Sequence, residues 1–137
     1  MLIADDDDEV RMVLLHALDQ DGTPCRVRAF RDGEELWGNL LRWQRKGAGA
    51  PALILLDLYM PRRNGHETLR AIRAHPSLVG VPVVVLSSSE APEDAATAYR
   101  LGANQFAIKP SSMSDFRSLV QHLLHRWLEK PPSPAAS

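Results

Sequence analysis

The stretch Leu53-Ile54-Leu55-Leu56-Asp57-Leu58-Tyr59-Met60-Pro61 sets a single carboxylate at the end of an unbroken apolar run. Four large aliphatic residues with no polar alternation describe a strand covered on both faces, as the middle strands of parallel sheets are. A carboxylate closing such a strand stands where water is scarce. A buried charge without a partner costs several kcal/mol, so Asp57 requires either a cation or a proton. The competing reading is an acid that caps the loop ahead of Pro61. Desolvation favours the functional one.

Four further short runs read as strands on either side of it: Leu2 to Asp5, Cys25 to Phe30, Val81 to Leu86 and Gln105 to Ile108, with Leu53 to Asp57 as the third of five. Helical spacing fills the intervals. Val10, Val13, Leu14, Ala17 and Leu18 share one face, Asp32-Gly33-Glu34-Glu35 has the form of a capping box, and Asn64 can cap a helix that ends before Pro76. Ala91 to Leu101 carries Pro92 early and Gly102 as a stop, and Ser114 to Lys130 carries a wide apolar stripe from Phe116 to Leu128. Strict alternation of strand and helix predicts an α/β fold, because every parallel crossover needs its helix. Ligands of such sheets sit beyond the carboxyl ends of the strands, where the winding reverses.

The strand ends therefore bear the chemistry. The first runs into Asp5-Asp6-Asp7-Asp8, the fourth into Ser87-Ser88-Ser89 and the fifth into Lys109-Pro110. Asp7 and Asp8 read as the acids of a helix start, whereas Asp5 and Asp6 lie at the strand terminus itself. A serine run or a lysine after a strand is weak evidence by itself. Together these residues bring three carboxylates, a hydroxyl and an ammonium to one edge of one sheet. Three like charges cannot share a site unaided, and a hard divalent cation with oxygen ligands, Mg2+ above all, resolves the repulsion. The chemistry this suggests is phosphoryl transfer, with a carboxylate as nucleophile, a metal on the phosphoryl oxygens, and Ser and Lys binding the remainder.

In this ordered set of acid pair, lone acid, serine and lysine, the chain resembles the receiver domain of bacterial two-component response regulators over roughly residues 2 to 128. The resemblance rests on Asp5-Asp6-Asp7 with Arg11 following, on Leu55-Leu56-Asp57-Leu58 through Met60-Pro61 with Gly65 beyond, and on Gly102-Ala103-Asn104 leading to Lys109-Pro110. It implies a flavodoxin-like, doubly wound five-stranded parallel sheet of order 2-1-3-4-5 with five helices on its two faces. It further implies that Asp57 accepts a phosphoryl group from a sensor histidine kinase. Mg2+ is then held by Asp6 and Asp57, by the main-chain carbonyl of Tyr59, and by Asp5 through water. Ser87 and Lys109 bind phosphoryl oxygens, Ser88 is the small gate residue beside them, and Tyr59 and Ser89 tune the lifetime of the acyl phosphate. Phe106 takes the place of the aromatic that turns inward on activation; where the family often has Tyr, Phe106 lacks the hydroxyl. A cis Lys109-Pro110 bond is a family tendency. The run from Ile54 to Pro61 and the Trp127-Leu128 ending are most similar to single-domain regulators paired with bacterial and cyanobacterial phytochrome kinases.

Composition agrees with one domain and narrows the partners. The 137 residues include 16 basic and 17 acidic side chains, for a formal charge of -1, which leaves no basic footprint for nucleic acid or anionic lipid. At 45% apolar the chain can bury a core without staples, and Cys25, its single cysteine, has no disulfide partner within it. No basic leader or membrane-length apolar run is present, so a cytoplasmic protein is expected. Residues 1–130 read as the receiver and the proline-rich 131–137 as a tail; with no output domain after residue 130, the phosphorylated surface is expected to be the output. Trp127 and the tail together suggest a homodimer surface, against the plainer reading that Trp127 closes the core.

Other residues carry less. His16, His66, His75, His122 and His125 have no metal spacing, Trp37 and Trp43 fall on different faces of the second helix so that one is expected at the surface or an interface, and Arg62-Arg63 reads as solvated. Two rival functions remain. A haloacid dehalogenase-type phosphatase also uses Asp-x-Asp, Mg2+, Ser and Lys, but puts its nucleophile on the first strand and its acid pair late. A receiver-like module that only binds is the other, set against the fact that all five polar positions hold competent residues.

Overall fold

Three of the strands contribute both faces to the core, and their residues sort by parity. The computed structural model describes residues 1–21 (main chain only for 17–21), 27–47, 49–60 and 62–128. In chain order the elements are β1 (Leu2–Ala4), α1 (Asp8–Asp21), β2 (Arg28–Phe30), α2 (Gly33–Arg45), β3 (Ile54–Asp57), α3 (Gly65–Ala74), β4 (Val83–Ser87), α4 (Pro92–Arg100), β5 (Gln105–Ile108) and α5 (Met113–Trp127). All neighbouring strands pair in parallel in the order β2-β1-β3-β4-β5, the expected flavodoxin-like topology.

Leu2, Ala4, Ile54, Leu56, Val83 and Val85 point to one side, where they meet Leu36 and Leu40 of α2, Leu69 and Ile72 of α3 and Ala98 of α4. Ile3, Leu55, Val84 and Leu86 point to the other, against Leu14 of α1 and Phe116, Val120, Leu123 and Leu124 of α5. The alternation is the period of two that a pleated strand imposes. Each buried aliphatic side chain contributes about 1.5–3 kcal/mol of transfer free energy. Both sides being apolar, the sheet is held in one register, and that register positions the strand ends.

Caps fix where the helices begin. The Asn64 side chain accepts from the Glu67 N–H while the Glu67 carboxylate accepts from the Asn64 N–H, a complete capping box at the head of α3. The Asp32 side chain accepts from the Glu35 N–H at 2.8 Å. Ser112 accepts from the Asp115 N–H, so α5 starts at Met113, a residue before the expected Ser114; Lys130, the expected end, lies outside the described residues. Gly102, at φ +106°, closes α4 as the sequence predicts.

Several expectations shift. β4 begins at Val83 rather than Val81, because Pro82 accepts from the Ile54 N–H but has no N–H to give, and the Val81 N–H turns back to Leu78. It runs on through Ser87, and β1 ends at Ala4. β2 is described from Arg28, and Cys25 and the tail 131–137 lie outside the described residues. The Lys109-Pro110 bond is trans. Trp37 and Trp43 are both half-buried against the α2 side of the core, so neither is free at the surface: Trp43 tilts against Phe30 at 6.2 Å and Trp37 meets His75 edge-on. Trp127 packs against the α1–α5 side and donates its indole N–H to Gln105 at 2.7 Å.

Candidate functional site

Register brings the acids together. Ala4 pairs with Leu56, so one step on, Asp5 comes level with Asp57; Asp57 pairs with Leu86, and Ser87 with Ile108, which leads directly to Lys109. One carboxylate oxygen from each of Asp5, Asp6 and Asp57 lies within 4.8 Å of the other two. Asp5 and Asp57 are buried, at 1% and 6% exposure, while Asp6 is exposed at the rim. Lys109 Nζ donates to Asp5 Oδ2 at 2.7 Å and to Asp57 Oδ1 at 3.1 Å. Its own N–H donates to the Ser87 carbonyl at 2.8 Å, holding the two strand ends side by side.

The electrostatics follow from burial. Desolvation pushes the Asp57 carboxyl up to about 7, the Asp5 charge adds to the rise, and Lys109 opposes it. Asp5 is also raised, by burial, against the pull of Lys109. Burial works against the charge on Lys109, yet its bonds to Asp5 and Asp57 prevail and its ammonium is held above the ordinary lysine value. One cation thus serves two buried acids and a third acid stands beside them. That all-oxygen donor set, with more negative than positive charge, is of the kind that holds a hard divalent cation.

The surrounding residues hold this geometry. Asp7 caps α1, its Oδ1 accepting from the Glu9 N–H at 2.9 Å, and Asp8 pairs with Arg11, so these two serve the helix start as expected. Arg11 also donates to the Asp5 carbonyl at 2.6 Å. Gly65 gives its N–H to Leu58 at 2.8 Å, and a Cβ on Gly65 would stand 2.6 Å from the Asp57 carbonyl oxygen, so the loop after Asp57 closes only around a glycine. Ser87 is fully buried and its hydroxyl accepts from the Ser89 N–H at 3.0 Å. Ser88 is exposed and lines, with Glu90, Lys109 and Asp115, an open depression of about 580 Å³. Phe106 is half-buried against the α2–α4 side of the core, and its N–H donates to Tyr99 Oη at 3.0 Å.

Three features escaped the sequence reading. Arg62, exposed as expected, adopts a left-handed backbone (φ 65°) and pairs across the surface with the fully buried Asp32. Burial would raise the Asp32 carboxyl, but the Glu35 N–H and Arg62 outweigh it and hold it below the usual range. Asp94 is the second: its Oδ2 accepts from Tyr59 Oη at 2.7 Å and from Ser89 Oγ at 2.6 Å. From sequence it is one more acid in a helix first turn, and only long-range contacts set it apart. Arg73 is the third, donating to the carbonyls of Val79, Val81 and Gly102 and to Asn104 Oδ1. Among the described residues no histidine joins a metal-ligating group.

A doubly wound sheet with three acids and a lysine gathered where its winding reverses defines a receiver, and residues 1–121 match the response regulator receiver domain family, to which the chain belongs. It is 32% identical over 137 residues to a probable methanogenesis regulatory protein, FilR2, of Methanothrix harundinacea, covering 98% of this chain and 88% of that one. To the response regulator Rcp1 of Synechocystis sp. it is 40% identical over 86 residues, 63% of this chain and 58% of Rcp1. The crystal structure of Mn2+-bound Rcp1 superimposes with a TM-score of 0.86 at 29% identity, covering 97% of this chain and 96% of that one. The phosphorylated cyanobacterial phytochrome response regulator RcpA gives the same score and coverage at 32% identity.

Proposed function

We propose that Asp57 is the phosphoacceptor, taking a phosphoryl group from a phosphohistidine of a sensor histidine kinase with Mg2+ as the cation. The observation that carries this reading is the clustering of the Asp5, Asp6 and Asp57 carboxylates beside a lysine that bonds two of them. An Asp57 carboxylate oxygen attacks phosphorus, the new P–O bond forms as the P–N bond to histidine breaks, and the imidazole departs. Asp6, Asp57 and the Tyr59 carbonyl, with Asp5 through water, would hold the cation, which would supply charge neutralisation to the phosphoryl oxygens. Lys109 then exchanges its 3.1 Å bond to Asp57 for one to a phosphoryl oxygen, and the Ser87 hydroxyl donates to another. Ser88 flanks the group as the small gate, and Phe106 is the aromatic whose packing answers the movement of Ser87.

The chain works as a self-catalysing acceptor, not a turnover enzyme, with residues 1–130 as the receiver and 131–137 as a tail that, with the end of α5, serves a homodimer. The likeness to Rcp1 and RcpA supports a kinase of the phytochrome type, and the lone Cys25 supports a cytoplasmic setting. Among the described residues no helix is long and apolar enough to cross a membrane. Incubation with acetyl phosphate and Mg2+, followed by mass mapping, tests the assignment. Phosphate on Asp57 is expected; phosphate on Asp5 or Asp6 assigns a phosphatase instead, and an unmodified chain leaves a binding module.

A further inference from the structure

Two loops flank the Asp57 carboxylate, one leaving β3 and one leaving β4, and a single side chain of α4 joins them. Asp94 Oδ2 accepts from Tyr59 Oη at 2.7 Å and from Ser89 Oγ at 2.6 Å, and Ser89 Oγ also accepts from the Ala91 N–H at 3.2 Å. The chain of bonds continues inward, since the Ser89 N–H donates to the buried Ser87 hydroxyl at 3.0 Å. Tyr59 is 56% exposed, so burial does not fix its ring, and its hydroxyl bond is what ties it to the facing loop. A hydrogen bond accepted by a carboxylate is about twice as strong as a neutral one. The bond to Asp94 leads the causes that hold the Tyr59 hydroxyl above the ordinary phenol value, and the bonds from Ser89 and Tyr59, with a smaller field from His66 of α3, hold Asp94 below the ordinary carboxylate value.

We propose that Asp94 is a positioning residue for the phosphoryl group on Asp57: it draws Tyr59 and Ser89 into one hydrogen-bonded bridge across the mouth of the site, and the bridge slows hydrolysis. The proposal rests on Asp57 as phosphoacceptor and adds a residue that neither the motif nor the acid cluster contains. Hydrolysis forms a bond from a water oxygen to phosphorus and breaks the bond from phosphorus to the Asp57 oxygen. The carboxylate is regenerated, inorganic phosphate leaves, and the water's proton passes to phosphate or solvent. That water must reach phosphorus from the side away from Asp57, through the gap between the two loops. A Tyr59 side chain pinned to Asp94 narrows this gap, and a restrained Ser89 keeps Ser87 in place behind it. With Asp94 cut back, Tyr59 loses its tie to the facing loop and is free to swing out, while the Ser89 hydroxyl keeps only the bond from the Ala91 N–H.

The test follows the decay of wild-type and variant protein phosphorylated on Asp57 with acetyl phosphate, by intact mass after the phosphodonor is removed. Asp94→Ala is expected to shorten the half-life by about threefold or more, the low end of what one net hydrogen bond represents. Asp94→Asn, which keeps an oxygen acceptor, is expected to stay within about twofold of wild type on the same grounds. Tyr59→Phe is expected to add nothing in the Asp94→Ala background. An unchanged half-life in Asp94→Ala, an Asn variant as fast as Ala, or effects of Asp94→Ala and Tyr59→Phe that multiply would each overturn the bridge. Absence of phosphate from wild-type Asp57 overturns the phosphoacceptor reading, a separate result.

Discussion

Asp57 and Lys109 set the terms on which the site trades a proton for a metal. The Asp57 carboxyl, pushed up to about 7 by burial and by Asp5, binds its proton more tightly in the folded chain than in the unfolded one. Its effect on folding is therefore most favourable below the ordinary carboxylate range and is withdrawn as pH climbs to about 7, above which the fold carries the full cost of the buried charge. In metal-free protein, Asp57→Asn is expected to stabilise the fold by an amount that grows from about pH 4 to pH 7 and then levels, reaching of order 1–3 kcal/mol in urea unfolding. A gain that is flat across that range would show that the carboxyl is not raised. By the same proton competition, divalent-ion affinity measured by calorimetry rises with pH up to about 7 and flattens beyond it. The residues of this cluster were legible in the sequence because each closes an apolar strand, where a polar group needs a reason. Asp32 and Asp94 were not, because an acid beside a helix start has a sufficient local explanation, and their partners Arg62 and Tyr59 lie 30 and 35 residues away.

At the scale of elements, the loop between β3 and α3 is built from two devices that can be cut separately. The capping box of Asn64 and Glu67 starts α3, and Gly65 lets the helix begin against the back of the acceptor strand. Asn64→Ala removes the cap and is expected to cost about 1 kcal/mol in urea unfolding, with phosphorylation of Asp57 retained. Gly65→Ala is a different injury. Its Cβ meets the Asp57 carbonyl oxygen at 2.6 Å and the Leu58 Cα at 2.9 Å, both main chain, so the loop must shift. The expected result is a loss of stability larger than that of Asn64→Ala together with a slowed labelling of Asp57 by acetyl phosphate. If Gly65→Ala labels at the wild-type rate, the loop has room that its geometry denies. The strands and helices themselves were legible as pattern: β5 has the expected ends, while β4 is displaced by two residues at its start because Pro82 carries no N–H. Propensity marks Val81 and Pro82 as strand, but the hydrogen-bond ladder does not admit them.

For the whole molecule, the question is which parts move when charge arrives at Asp57. Phosphorylation adds about two negative charges and three acceptor oxygens, toward which Ser87 and Lys109 are expected to move on the proposed reading. Ser87 leads into a loop tied mainly through Ser89 and Asp94, and α4 beyond it buries only Ala98 fully, so this segment is the least anchored part of the switch path. Its far end is held differently. The Arg73 guanidinium donates to Gly102, Val79, Val81 and Asn104 at 2.7–3.1 Å, fastening the end of α3 to the turns before β4 and β5. Between the two ends, the Phe106 N–H bonded to Tyr99 Oη links β5 to α4. A rigid base and a loose head predict a hinge. With a beryllofluoride mimic and Mg2+ bound to the wild-type chain, amide shifts should be largest at residues 87–91, carry through α4 to Tyr99 and Phe106, and fall away at residues 102–104. Equal shifts across 87–108 would mean that Arg73 does not hold the base. An unchanged spectrum over that whole segment would mean that charge at Asp57 is not read through α4 at all, and the surface that signals would have to be sought on the α1–α5 face instead.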